Sequence, residues 1–234
     1  MKTVRRAAVA AAGFALALAL AGCATVNRLD PAELWGSRLS ARMATPPRPR
    51  MQVSYDVTID SRRPVRSALS VLTNLAKASQ AEKADRAMRE ALDRVDVPDI
   101  VFNESFTSCA AMIGATAVDA ADRADYSLDL DITDWGIRAE GPGSPVTLHM
   151  AIQASLLRAM DGAVLWERHL TVDEPASPGM FGLGDIVGTM VTATALSDMS
   201  PETLADGFRA MARNTARGVT RLLQKDLERA RWYG

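Results

Sequence analysis

Apolar and polar side chains alternate with a period of two along several stretches of this chain, and each stretch predicts a strand with one dry face and one wet face. Met51, Val53, Tyr55, Val57 and Ile59 alternate with Gln52, Ser54, Asp56, Thr58 and Asp60. Tyr126, Leu128, Leu130 and Ile132 alternate with Ser127, Asp129, Asp131 and Thr133, and Val146, Leu148, Met150, Ile152, Ala154 and Leu156 follow the same rule. Asp161-Gly162 signals a hairpin into Val164-Leu165-Trp166-Glu167-Arg168-His169-Leu170, so the last three strands form an antiparallel meander. Ile100-Val101-Phe102 reads as one more short strand.

The remaining apolar positions recur at helical spacing. From Val65 to Val95, Leu69, Leu72, Leu75, Ala76, Met88, Leu92 and Val95 predict one long helix, or two broken near Ser79, with Pro98 as the stop. The Ala-rich stretch Thr107 to Ala121 predicts another helix. At Ser200-Pro201-Glu202 serine caps, proline takes the first helical position and glutamate sits at the positive end. Leu204, Phe208, Met211, Thr215, Val219 and Leu222 then form a packing stripe. The order β-α-β-α-β-β-β-α predicts an α+β domain over residues 51–234, an antiparallel sheet with helices packed on one face.

The first 22 residues have a different character. Lys2, Arg5 and Arg6 precede an apolar and small-residue run from Ala7 to Ala21, then Gly22 and Cys23. The run falls short of the ~20 residues of a spanning helix and reads as a cleaved signal peptide. Leu20-Ala21-Gly22-Cys23 resembles the lipobox of bacterial lipoproteins. The resemblance implies cleavage before Cys23 and lipid on that residue, with palmitate-type acyl chains as the membrane anchor. Ala24, where lipoproteins kept in the inner membrane commonly have Asp, implies the periplasmic face of the outer membrane. Residues 23–50, ending in Thr45-Pro46-Pro47-Arg48-Pro49-Arg50, read as a lipidated cysteine followed by an extended proline-rich tether.

Composition narrows the function classes. Removing residues 1–22 leaves 212 residues, enough for one substantial core. All 28 acidic residues lie in that part and three of the 27 basic ones do not, so the mature chain carries a net charge of −4 and shows no basic excess for nucleic acid. With Cys23 lipidated, Cys109 is the remaining cysteine, so no internal disulfide forms and Cys109 reads as a buried small hydrophobe.

Ala124-Asp125-Tyr126 with its strand, the strand from Val146, and Asp161-Gly162-Ala163-Val164-Leu165-Trp166 are similar to a run in the periplasmic domains of the curli-secretion lipoprotein family, the TolB amino-terminal domain and penicillin-binding-protein activator lipoproteins. The similarity spans about residues 51–172 and implies a non-catalytic domain that binds partners or assembles. The two alternating strand pairs of a membrane barrel are missing, so pore formation is not implied.

Candidate chemistry is sparse. Asp129, Asp131 and Asp134 look faintly like a calcium loop but lack its glycine, and read as a solvated strand face. His149 and His169 fall on neighbouring predicted strands; they are the basis of the alternative, a periplasmic enzyme with a metal between them, although neither has matched ligand spacing. There is no Gly-x-Ser-x-Gly and no phosphate loop, so no catalytic residue, metal site or cofactor is assigned. Residues 179–199 form an apolar, Gly-rich insertion in which Phe181, Leu183, Ile186, Val187, Met190 and Val191 need a cover. That cover is the domain itself, a partner or second copy of the chain, or the bilayer surface. The row Arg209, Arg213, Arg217, Arg221, Lys225 and Arg229 reads as a solvated helix face, with anionic headgroups or an acidic partner as alternatives. The expectation is an outer-membrane lipoprotein that presents a partner-binding domain to an envelope protein or its own oligomer in assembly, secretion or transport.

Overall fold

Fourteen residues from Tyr126 to Ala139 form the central strand, and its burial pattern explains how the sheet is built. Tyr126, Leu128, Leu130 and Ile132 are buried, and after them Trp135, Ile137 and Ala139. The switch from even to odd numbers comes from a β-bulge between Ile132 and Asp134, where one extra residue on this strand resets the alternation. The computed structural model describes residues 26–53, 82–83, 86–119, 123–140, 144–176 and 199–233.

We number the elements α1 (Pro31–Leu34), β1 (Arg38–Met43), β2 (Arg50–Val53), α2 (Val97–Ile113), β3 (Thr116–Ala117), β4 (Tyr126–Ala139), β5 (Thr147–Arg158), β6 (Val164–Pro175) and α3 (Pro201–Tyr233). The fold class is α+β. β4, β5 and β6 make the expected antiparallel meander, with Asp161 accepting from the Ala163 amide at 3.1 Å and Gly162 at φ +69° in its turn. The sheet as a whole is mixed, not purely antiparallel, because β1 and β2 both run parallel to β4 and β3 runs parallel to β1.

β1 and β2 share one edge of β4, β1 along its first half and β2 along its second. Pro46, Pro47 and Pro49 lie between them and lack the amide that a ladder requires. The crossing is fastened instead by the Ala44 amide, which donates to the Leu130 carbonyl at 3.0 Å, and by the Trp135 indole, which donates to Pro47 O at 2.8 Å. The stretch expected to be a tether therefore carries a strand of the sheet. Docking starts even earlier, since Asn27 bridges Trp166 and the Arg28 amide donates to the Leu165 carbonyl at 2.7 Å.

Of the helix expected over residues 65–95, residues 82–83 and 86–92 are helical, whereas its residues 65–81, and residues 54–60 where most of the first expected strand falls, lie outside the described residues. Pro98 opens a helix instead of closing one. Asp96 caps α2 by accepting from the Asp99 amide at 3.0 Å, and Gly114 at φ +66° ends it. Ile100-Val101-Phe102, expected as a strand, lies within the first two turns of this helix, and the helix expected to reach residue 121 stops at Ile113. A short β-branched run does not distinguish a strand from a buried helix turn. Ser200 caps α3 as expected, accepting from the Thr203 amide at 3.3 Å. Its buried stripe runs Leu204, Phe208, Met211, Thr215, Val219, Leu223 and Leu227, so Leu223 takes the place expected for Leu222. α2 and α3 cover one sheet face. Phe208 meets Trp135 edge-on at 6.2 Å there, and Leu148, Met150 and Ile152 of β5 are buried in the same core.

Candidate functional site

Because Trp135 and Ile137 point into the helices, Asp134, Gly136 and Arg138 point to the opposite, open face. Ladder pairing then sets His149 of β5 opposite Gly136, and Asp173 of β6 opposite His149. The His149 ring lies between two carboxylates, with Nδ1 2.6 Å from Asp173 Oδ1 and Nε2 3.4 Å from Asp134 Oδ2. Arg138 donates to Asp134 Oδ2 at 2.8 Å and stands 3.9 Å from Asp173 Oδ1, while Arg50 Nε stands 3.9 Å from Asp134 Oδ1. The five residues come from β2, β4, β5 and β6.

Gly136 makes the cluster's geometry possible. It adopts φ +143°, and a Cβ there would lie 1.9 Å from the Arg50 carbonyl oxygen. Only glycine lets β2 approach closely enough to bring Arg50 to Asp134. Beside the cluster an open cleft of about 560 Å³ is lined by Arg138, Glu140, Ser144, Thr147 and Asp173 among others. Its walls carry both charge signs and hydroxyls, a surface suited to polar or zwitterionic contacts. His149 itself is buried, and each of its ring nitrogens already faces a carboxylate. A protonated ring donates to both carboxylates and a neutral ring to one.

His149 and His169 lie on the same sheet face, but His169 pairs with Gln153 and not with His149. Four strand positions, about 13 Å, separate their levels. His169 is exposed, and among the described residues no group of three or more histidine, cysteine or acidic side chains is arranged to hold a metal. The ladder thus keeps apart the two imidazoles on which the metalloenzyme alternative depended. Asp129 is an ion-pair partner of Arg42, on the same face as Asp134 but before the bulge. In the basic row of α3, Arg209 pairs with Asp206, Arg213 Nε bonds Glu104 at 3.1 Å, and Arg229 approaches Asp226 at 3.3 Å. Cys23, Phe181, Leu183, Ile186, Val187, Met190 and Val191 lie outside the described residues.

Two residues of the family-like motifs acquire structural roles. Asp125 accepts from the Arg38 amide at 2.8 Å and from its guanidinium at 2.9 Å, tying β1 to the start of β4, and these bonds hold its carboxyl below the usual carboxylate range. Trp166 donates from its indole to Asp226 Oδ2 at 3.0 Å, and Arg168 Nε reaches the same oxygen at 2.7 Å. Cys109 is fully buried between α2 and α3, 4.0 Å from the Thr220 hydroxyl, and burial pushes its thiol up to about 12. Sequence reasoning singled out His149 but not Asp134, Arg138, Asp173 or Arg50 as its company. The usable signal was the odd-numbered apolar set Trp135, Ile137 and Ala139, which breaks the even-numbered pattern and marks the bulge.

No protein-family model matches the chain, and no curated protein sequence matches it. Solved structures to which it is similar include protein XCC0632 from Xanthomonas campestris, of family DUF330, at 14% identity over 87% of this chain and 89% of that chain, with a TM-score of 0.36. The PelC dodecamer from Paraburkholderia phytofirmans is another, at 11% identity over 82% of this chain and 92% of that chain, with a TM-score of 0.31.

Proposed function

We propose that this chain is a lipoprotein of the bacterial envelope, anchored through Cys23 at the periplasmic face of the outer membrane, whose α+β domain binds a partner and does no chemistry of its own. The observation that carries the reading is the leader itself, in which basic residues, an apolar run and Leu20-Ala21-Gly22-Cys23 occur in order. Among the described residues no helix is long and apolar enough to cross a membrane, so the lipid is the anchor in this reading. The engagement of both His149 nitrogens by carboxylates supports a binding role over a catalytic one. The partner is an envelope protein or a second copy of the chain, met through the apolar segment 179–199 around Phe181 and Val187.

Mass spectrometry of the protein extracted from membranes tests the anchor. The expected product begins at Cys23 and carries diacylglycerol, and Cys23→Ser leaves the leader uncut. A membrane form without acyl groups overturns the anchor. For the partner, cross-linking in cells with a folded Phe181→Asp, Val187→Asp variant is expected to lose the parent's adducts, and an unchanged pattern overturns the assigned contact.

A further inference from the structure

The cations along α3 fall into two groups. In its first half they are matched, with Arg209 paired to Asp206, Arg213 Nε 3.1 Å from Glu104 of α2, and Arg94 paired to Glu202 at the helix start. From Arg217 onward the matching stops. The exposed residues from Arg217 to Trp232 include five cations, Arg217, Arg221, Lys225, Arg229 and Arg231, against one carboxylate, Glu228, which accepts from Gln224 at 3.0 Å. Arg217 meets the neutral Asn214 side chain at 3.4 Å. Arg229 approaches Asp226 at 3.3 Å, but that carboxylate already neutralises Arg168 at 2.7 Å. Arg221, Lys225 and Arg231 have no ion-pair partner among the described residues.

A helix turns about 100° per residue, so Arg217, Arg221, Lys225 and Arg231 fall within about 120° of its surface, opposite the buried Val219, Leu223 and Leu227. Trp232, 87% exposed, lies inside the same sector, and the face is about 22 Å long. The helix dipole favours cations in the last turn, which accounts for Arg231 but not for Arg217 or Arg221. The face is also opposite in sign to the mature chain, which is acidic overall.

We propose that this face of α3 docks on the anionic phospholipid headgroups of a bilayer, with its cations over the phosphates and Trp232 in the interfacial layer. Cations spread over a convex helix suit a plane of phosphates, and their long stems let the charged heads reach it. The tryptophan favours the bilayer over an acidic protein, because its ring settles at the headgroup level, half dry with its N–H wet.

The test reconstitutes the processed protein into brominated phosphatidylcholine vesicles with and without phosphatidylglycerol and reads indole quenching. Trp135 and Trp166 are buried and Trp35 is exposed, so a folded Trp232→Phe variant marks the share that comes from α3. Quenching is expected to rise with phosphatidylglycerol, to lose that rise in Trp232→Phe, and to fall back in about 1 M salt, which screens charges beyond about 3 Å. In a folded Arg217→Gln, Arg221→Gln, Lys225→Gln variant the docked-to-free ratio is expected to fall on the order of 100-fold, about fivefold per cation. Equal quenching in both vesicles, or a rise that the charge variant retains, overturns the lipid surface. Loss of a cross-linked envelope protein in the charge variant, with no effect of phosphatidylglycerol, overturns it in favour of an acidic partner. The face does not depend on the lipid of Cys23 or on segment 179–199. Protein extracted without acyl groups overturns the anchor alone, and mixing it with the same vesicles decides the face by the same outcomes.

Discussion

Trp166 of β6 and Asp226 of α3 are both fully or almost fully buried and share a 3.0 Å hydrogen bond, with Arg168 completing the ion pair at 2.7 Å. One carboxylate thus fixes the helix to the last strand, and the Asn27 amide group adds the amino-terminal segment by donating to the Asp226 carbonyl at 3.4 Å. Asp226→Ala leaves Arg168 without its charge partner and is expected to cost about 3–5 kcal/mol. Trp166→Phe keeps the ion pair and is expected to cost about 1–3 kcal/mol. Urea denaturation of both single variants and the double variant checks this, with the double costing less than the sum because the residues share one network.

Gly136→Ala is expected to cost about 3 kcal/mol or more, since it combines an unfavourable φ with a collision against backbone. Gly162→Ala, at φ +69° but with open space around it, is expected to cost only about 1–2 kcal/mol. Thermal melts give the ranking, and hydrogen exchange at residues 50–53 is expected to rise in the first variant alone.

The Asp125 carboxyl is held low by Arg38, so its contribution to stability is present above the ordinary carboxylate value near ~3.9 and fades as pH falls through the lowered one. Arg38→Ala is expected to move the Asp125 titration upward toward ~3.9, as carbon-detected NMR of the side chain would record.

Cys109 behaves oppositely. Its thiol is pushed up to about 12, so the folded state resists ionisation and stability is lost as pH rises above the unfolded value near ~8.5. The thiol is expected to ignore a disulfide reagent at pH 8 until denaturant is added. Reaction of the folded protein at the rate of free cysteine would contradict the packing of α2 on α3.

In the charged cluster, Asp173→Asn is expected to weaken folding by about 1–3 kcal/mol, because it replaces a charged acceptor of His149. Nitrogen NMR of the His149 ring is expected to show altered tautomer populations in that variant and no change in Asp129→Asn.

The meander and the last helix were legible because their apolar positions keep one period over many residues, as from Leu148 to Leu156 and from Leu204 to Val219. The parallel strand β1 was not. Leu39, Ala41 and Met43 alternate with Arg38, Ser40 and Arg42, but the run is short and stands before three prolines that suggest a tether. Val101 misled for the converse reason, since a β-branched residue flanked by apolar neighbours suits a buried helix turn as well as a strand. The cluster around His149 was half visible. The histidine stood out, whereas its partners depend on a bulge and on cross-strand register that no single strand encodes.

The hydrogen bonds of Val26 also impose an order of events. Arg168, which holds its carbonyl, follows 142 positions later in the chain. The bonds to Val26 can form only once Glu167 and Arg168 have been synthesised and β6 is in place, so the segment at residues 26–28 has no partner on the sheet until most of the chain has been made.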